Sequence, residues 1–255
     1  MDENGSPIFT SKHKEEPLRE GDDHPDFIHA FNAYTPPATV EGDLVYVHYA
    51  RVEDLRKLKD LGVDLKGKIC MARYGKIFRG NKVKHCQDAG AIGIILFSDP
   101  GDVAVQGTDP ENVYPNTIFL PGSGIQRGST FIGDGDPLSP EWPSLPNTYR
   151  LEPEEAPGLP KIPAQPIGYD DAKVLLEKMG GDEVPPEWRG NITGITYRLG
   201  GMMEPSAYKV RLSTHNYFGE LPTYLHQKFV PQTILHERFC DTIVASVLTS
   251  LYRNH

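Results

Sequence analysis

The fold is decided by residues 66–100, which read KGKICMARYGKIFRGNKVKHCQDAGAIGIILFSDP. The stretch from Lys68 to Ala72 has an alternating pattern that includes β-forming residues, so it predicts a strand. Val83 to Ala91 carry the mixed polar and small residues of a helix that ends at Gly90. An apolar strand, interrupted by glycine, follows through Phe97. The stretch therefore predicts a strand–turn–helix–strand unit.

The residues before this unit repeat the same order of elements. Asp43 to Ala50 (DLVYVHYA) are rich in β-branched and aromatic residues and predict a strand. The next stretch, VEDLRKLKDLG, predicts a helix that ends at Gly62, with its apolar residues on one face: Val52, Leu55, Leu58 and Leu61. Strand and helix thus alternate from residue 43 to residue 97, which is typical of the α/β class.

Four cations lie in the predicted turn between the second strand and its helix: Arg73, Lys76, Arg79 and Lys82. The chain as a whole has a net charge of -9. Arginine and lysine on a loop after a strand suit a carboxylate or phosphate ligand, and arginine offers two parallel donors. The alternative is a loop of solvated charges, and the residues alone leave both interpretations open.

The rest of the chain is less regular. Closely spaced prolines between Asp99 and Pro166 predict loops and short strands, and Tyr169 to Met179 predict a helix with acidic residues in its first turn. Two further strands are expected within residues 188–200 (WRGNITGITYRLG) and 207–216 (AYKVRLSTHN). Residues 232–253 have apolar side chains four apart and predict an amphipathic helix.

Composition excludes several classes of protein. The isoelectric point near 5.5 disfavours a general nucleic-acid-binding role, because phosphate neutralisation needs a basic face. Three scattered cysteines, Cys70, Cys86 and Cys240, are too few for a disulfide framework; one pair is possible, but the odd third favours free or buried thiols. No stretch reaches the about 18 apolar residues of a membrane span, and the first residues lack the apolar core of a signal peptide, so no route to a membrane or secretory pathway is expected.

Other motifs give weaker signals. Residues 120–128 (LPGSGIQRG) lack the spacing of a phosphate-binding loop and predict a turn. His236 and Cys240 stand one helical turn apart, but the second histidine of a helical zinc motif is missing, so Cys240 is interpreted as a core residue. No nucleophile elbow is present. Asn4 and Asn191 match the N-glycosylation pattern, which matters only if the chain is secreted.

Several blocks resemble one known family in order and spacing. They include EGDLVYVHYARVEDLRKL, GKICMARYGKIFRGNKVKHCQDAGAIGIILFSDP, LPGSGIQRG, GDPLSPEWP and GLPKIPAQPIGYDDAKVLLEKMGG. They resemble the protease-associated (PA, apical) domain of the glutamate carboxypeptidase II group, the N-acetylated-alpha-linked acidic dipeptidases of the M28 metallopeptidases. The likeness runs from about Phe27 to Asn216. It implies an α/β domain of PA type, a small barrel-like or open sheet with flanking helices.

The resemblance also implies roles for particular residues. Arg79 matches the arginine that grips the terminal carboxylate of a C-terminal glutamate, with Lys76 nearby. Ser139 and Trp142 match positions whose backbone carbonyls help to hold a structural calcium ion. Phe119 stands where the family has an asparagine that assists the arginine, and this departure puts strict glutamate preference in doubt.

In the family, the PA domain helps to roof a cavity with two zinc ions, whose ligands lie in a following protease domain. Residues 217–255 resemble nothing in that domain. The resemblance therefore implies four segments: a loosely ordered arm (1–39), the PA domain (40–199), a strand leading to a missing protease domain (200–216) and an unrelated tail with the amphipathic helix (217–255). The chain is expected to be a truncated product.

The predicted function is that of a non-catalytic recognition and lid module, with no cofactor of its own and no peptidase activity alone. A peptide with a C-terminal acidic residue is the expected ligand. Two alternatives remain open: peptidase activity in association with a full-length homologue, and a protein-interaction module that uses the tail helix. The family further implies a dimeric glycoprotein in an extracellular or plasma-membrane setting.

Overall fold

Strands and short helices alternate along the part of the chain that the computed structural model describes: residues 7–24, 27–204 and 208–216, with the backbone of 248–253. The elements are, in chain order, β1 (Phe9–Thr10), β2 (Asn32–Ala33), β3 (Ala38–Gly42), β4 (Leu44–Tyr46), α1 (Val52–Asp60), β5 (Ile69–Arg73), α2 (Arg79–Asp88), β6 (Gly93–Phe97), α3 (Pro100–Val103), β7 (Gly128–Ser129), β8 (Ala164–Ile167), α4 (Tyr169–Glu177), β9 (Tyr208–Thr214) and β10 (Leu248–Arg253). Single 3-10 turns lie at Pro110–Asn112 and Pro186–Trp188.

A four-stranded parallel sheet in the order β4-β5-β6-β8 forms the centre. Val45 lies opposite Cys70 in this sheet, and Met71 lies opposite Ile95. Every residue of these four strands is buried. Their near-continuous apolar sequences follow from this position, because a parallel sheet is usually covered on both faces. The mixed α/β class predicted from the sequence is therefore confirmed.

A second sheet, in the order β1-β10-β9-β3, is antiparallel. It packs on the end of β6, where Val40 and Leu212 approach Gly93. A Cβ on Gly93 would lie 2.9 Å from Leu212 Cδ2, so a side chain at this position would force Leu212 to shift. The short parallel pair of β2 and β7 places Asn32 opposite Gly128.

Three sequence predictions are wrong in detail. Helix α2 begins at Arg79 rather than Val83, so Arg79 and Lys82 lie on the helix and not in a turn. Residues 188–199 contain no strand, because the chain there turns repeatedly and forms only isolated bridges. The predicted strand 43–50 ends at Tyr46, since His48 and Ala50 adopt positive φ angles of 53°.

The tail prediction is also wrong where it can be compared. Residues 248–253, at the end of the predicted amphipathic helix, form strand β10, which pairs antiparallel with β9. Strand β9 supplies the backbone hydrogen bonds of β10. Because β9 is distant in the sequence, the local helical periodicity does not predict this pairing. The remainder of that helix, with His236 and Cys240, lies outside the described residues.

The described cysteines agree with the prediction from the sequence. Cys70 and Cys86 are buried, free thiols in the core around the parallel sheet, as expected. Within the described ranges, no helix combines the length and apolar character required to cross a bilayer.

Candidate functional site

The four predicted cations occupy different environments, and Arg73 is already neutralised. Its side chain is 5% exposed at the end of β5. Arg73 Nη2 donates to Asp102 Oδ2 over 2.6 Å and lies 3.4 Å from Asp99 Oδ1. With two carboxylates beside it, this guanidinium has little capacity left for an external anion. Arg73 is therefore a structural residue of the core.

Lys82 is also structural. It is fully buried in α2, and its Nζ donates to the carbonyl oxygens of Tyr49 and Gly75, each over 2.7 Å. Burial lowers the pKa of Lys82 from 10.5 to about 8, because the charged form loses hydration. Lys82 thus joins the loop before α2 to the loop after β4.

A further buried charge lies at the start of α1. Asp54 is 1% exposed and accepts hydrogen bonds from Arg51, and its Oδ1 lies 3.2 Å from His48 Nδ1. Burial alone would raise the pKa of Asp54, but the contacts with His48 and Arg51 outweigh burial and lower this pKa to about 2. The carboxylate joins α1 to the loop after β4.

Lys76 and Arg79 are the two predicted cations that remain accessible. Lys76 is exposed in the loop before α2, where it adopts a φ of 67°. Its Nζ lies 5.6 Å from the centre of the Tyr49 ring. Within the described part of the chain, neither Lys76 nor Arg79 has a carboxylate oxygen within 4.0 Å of its charged nitrogen atoms. These two cations can therefore receive an external anion.

Arg79 is held by aromatic and backbone contacts. Its Cζ lies 5.7 Å from the ring centres of both Tyr74 and Phe78. Arg79 Nη1 donates to the Ser129 carbonyl over 3.4 Å, while the Nε–H is buried and has no acceptor. A buried donor without an acceptor is uncommon in folded proteins.

Glycine-rich residues 120–128 support this arginine. They begin with the predicted turn, in which Gly124 N–H donates to the Pro121 carbonyl over 2.9 Å. They end at Gly128, where φ is 155° and a Cβ would lie 2.4 Å from Arg79 Nη1. The backbone of this segment thus approaches the guanidinium directly, and a side chain at Gly128 would displace it.

The proposed calcium positions form a turn. Trp142 N–H donates to the Ser139 carbonyl over 3.0 Å, and Ser139 Oγ donates to the Trp142 carbonyl over 3.3 Å. Calcium takes six to eight oxygen ligands, whereas this turn offers two carbonyl oxygens that each already accept a hydrogen bond. The described ranges contain no group of three or more His, Cys, Asp or Glu side chains that could hold a metal ion. These residues alone do not fit a calcium or zinc site.

The other predicted positions make contacts of their own. Phe119 is half-buried in a loop where its carbonyl accepts from Tyr114 N–H over 2.8 Å. Asn191 is exposed, and its backbone N–H donates to Asp99 Oδ1 over 2.8 Å. Its glycosylation stays a prediction. Asn4 lies outside the described residues.

Sequence reasoning missed Asn32 and Tyr74. Asn32 is 1% exposed in β2, and its Oδ1 lies 3.3 Å from the Tyr74 hydroxyl, which donates to the Gln126 carbonyl over 2.8 Å. Burial raises the pKa of Tyr74 to about 12, so the phenol is neutral at physiological pH. Asn32 and Tyr74 are 42 residues apart, and no local motif joins them.

Several known proteins are similar in sequence to this chain. Residues 40–130 match the PA domain family. A glutamate carboxypeptidase 2 homolog from Caenorhabditis briggsae is 49% identical over 177 residues, which are 68% of this chain and 23% of that protein. Aminopeptidase NAALADL1 from Rattus norvegicus is 37% identical over 218 residues, or 84% of this chain and 29% of that protein.

A solved structure is also similar. BSAP, a zinc aminopeptidase from Bacillus subtilis, matches 57% of this chain and 24% of its own, with 15% identity and a TM-score of 0.32. The chain spans about a quarter of the length of the curated relatives that it matches. Residues 40–130 thus carry the PA domain match, and the curated relatives over this region are glutamate carboxypeptidase 2 homologues and NAALADL1 aminopeptidases of the M28 family.

Proposed function

We propose that this PA domain is a substrate-recognition module that binds the carboxylate of a peptide with a C-terminal acidic residue. Arg79 is the principal contact and Lys76 a secondary one. The observation that carries the proposal is the Arg79 guanidinium: it has no carboxylate within 4.0 Å among the described residues, and its buried Nε–H has no acceptor. The name of the C. briggsae relative, a glutamate carboxypeptidase, supports a ligand of this class.

The position of Arg79 on its helix supports the same role. Arg79 is the first residue of α2, and the first turn of that helix holds no acidic side chain. A cation at a helix N-terminus is unfavourable, because the helix dipole places positive charge there. This arrangement adds nothing to helix stability but concentrates positive potential that attracts an anion. In a chain of net charge -9, a local cationic site is what an acidic peptide would need.

The chemistry of the two side chains differs. Arg79 can form two parallel, charge-assisted hydrogen bonds with a carboxylate, and its aromatic neighbours keep part of the guanidinium out of water. Lys76 is exposed, so its attraction is screened by solvent and salt. We therefore assign orientation of the ligand to Arg79 and a weaker steering effect to Lys76.

The proposal concerns binding, whereas the hydrolytic activities named for the relatives belong to proteins about four times as long as the matched region. It is tested by titrating the ¹⁵N-labelled full chain with N-acetyl-Asp-Glu and with the same dipeptide as its C-terminal amide. Arg79→Ala should weaken binding of the carboxylate form at least about tenfold, since a hydrogen bond to a charged group contributes about 1.5–3 kcal/mol. Lys76→Ala should cost less than about fivefold.

Arg56→Ala is the matched control, because Arg56 is exposed on α1 and its removal changes the net charge equally. It should leave the dissociation constant unchanged. Equal affinity of Arg79→Ala and the unmodified chain, or equal binding of the dipeptide and its amide, would contradict the proposal.

A further inference from the structure

Two buried N–H groups in the same region lack acceptors. One is Nε of Arg79, and the other is Nδ2 of Asn32, whose side chain is 1% exposed. Each unpaired buried donor costs free energy, so a pair of them calls for a reason. Because both groups are donors, neither can satisfy the other. What the pair lacks is an acceptor, and an anion is the strongest acceptor in water.

Tyr74 joins the two donors. Its hydroxyl lies 3.3 Å from Asn32 Oδ1, and its ring centre lies 5.7 Å from Arg79 Cζ. The parallel pair of β2 and β7 adds a second link, because Asn32 lies opposite Gly128 and Gly128 approaches the guanidinium. Asn32 and Arg79 thus belong to one cluster although they come from distant parts of the chain.

The position of Asn32 is fixed by its backbone. The Asn32 carbonyl accepts from Asn216 Nδ2 over 2.9 Å and from Thr35 Oγ1 over 3.2 Å. Asn216 Nδ2 also lies 2.7 Å from Thr35 Oγ1. The backbone of Asn32 is therefore held by an ordered network, whereas Nδ2 of its side chain has no acceptor.

We propose that Asn32 is the second donor of the Arg79 carboxylate site, so that a bound carboxylate, with any water it orders, supplies the acceptor that both N–H groups lack. The inference rests on the proposed function. It explains why the residue is an asparagine: an aspartate there would pair with Arg79 and occupy the site, whereas an amide adds a donor without adding charge. Asn32 thereby favours ligands with a carboxylate over those with a terminal amide.

The test uses Asn32→Asp in the full chain, titrated with N-acetyl-Asp-Glu by NMR. The substitution keeps the shape and the acceptor for Tyr74 but replaces the free donor with a carboxylate. We expect at least tenfold weaker binding. In the ligand-free protein, we also expect a shift of the Arg79 Nε–H resonance, which a purely structural role of Asn32 would not produce. Asn147→Asp adds the same charge on an exposed loop and should change neither quantity.

Asn32→Ala provides a second variant, because it removes the donor without adding charge and remains informative if Asn32→Asp does not fold. It should weaken binding of the dipeptide more than binding of its C-terminal amide. Unchanged affinity in every folded Asn32 variant, alongside a loss in Arg79→Ala, would overturn this inference alone. Unchanged affinity in Arg79→Ala would overturn the proposed function first.

Discussion

Lys82 is the buried charge whose ionisation should be visible in the stability of the fold. Its ammonium group is fully buried and donates to two backbone carbonyls. Burial is the main cause of its low pKa of about 8, and Arg51 lowers that pKa further, while the carboxylates of Asp54 and Asp102 and the thiol of Cys86 raise it. The perturbation of interest is a rise in pH.

The direction follows from proton counting. In the unfolded chain Lys82 should hold its proton up to about pH 10.5, whereas in the folded chain it releases the proton near pH 8. Between these values the unfolded state binds more protons, so the free energy of unfolding rises with pH. With these two pKa values, the contribution of Lys82 increases by about 1.4 kcal/mol between pH 7 and pH 9.

Urea denaturation at pH 7, 8 and 9 measures this contribution when the unmodified chain is compared with Lys82→Met. Subtracting the two curves removes the effect of other titrating groups. Lys84→Met is the control, because Lys84 is exposed on the same helix. Two results would contradict this prediction. One is a change in the free energy of unfolding between pH 7 and pH 9 that is equal, within about 0.5 kcal/mol, in the unmodified chain and Lys82→Met. The other is an NMR titration that places the pKa of Lys82 near 10.5.

Three further predictions address other parts of the molecule. Arg73→Met leaves Asp99, which is 0% exposed, without its charged partner, and should lower the free energy of unfolding by about 3–5 kcal/mol in urea denaturation. Asp54 has a pKa of about 2 in the folded chain, below its ordinary 3.8. Its contribution to the free energy of unfolding is therefore present above pH 4 and is lost as the pH falls through 2. Asp54→Asn should remove about 2 kcal/mol of this dependence when stability is measured as a function of acid pH. Gly128→Ala should displace the Arg79 guanidinium and weaken binding of N-acetyl-Asp-Glu at least tenfold in the NMR titration.

Each of these predictions has its own control. Arg56→Met should cost less than about 1 kcal/mol, since Arg56 is exposed, and a similar loss in Arg73→Met would contradict the ion-pair argument. Asp60→Asn, at an exposed position of α1, should leave the acid-side slope in place. Gly135→Ala tests the cost of a positive φ alone, because a Cβ there meets no atom within 4 Å. Equal loss of binding in Gly135→Ala and Gly128→Ala would count against a specific approach to Arg79.

The elements of the fold that depend on local pattern could be predicted from the sequence. The apolar runs of β5 and β6 and the amphipathic pattern of α1 gave the α/β class, because side-chain periodicity reports burial directly. Residues 188–199 contain β-forming residues but no strand, because glycines turn the chain there, as at Gly194 with a φ of 81°.

The candidate site was only partly predictable. Arg79 could be found from its resemblance to a known family, but its neighbours could not. Arg73 donates to the carboxylate of Asp102, 29 residues later in the chain. Lys82 donates to the carbonyl of Tyr49, 33 residues earlier. Such partners decide which cations remain accessible, and no sequence window contains them. Asn32 is likewise separated from Tyr74 by 42 residues, so no sequence window contains both.

The pairing of β3 with β9 has a consequence for the ends of the segment that contains the parallel sheet. Ala38 and Thr214 lie directly opposite each other, so the chain enters and leaves at one point, with the whole parallel sheet as an excursion between them. A domain with adjacent ends can be inserted into a surface loop of another protein without moving apart the two sides of that loop. The β3–β9 ladder thus holds together the two ends of the segment that contains the parallel sheet.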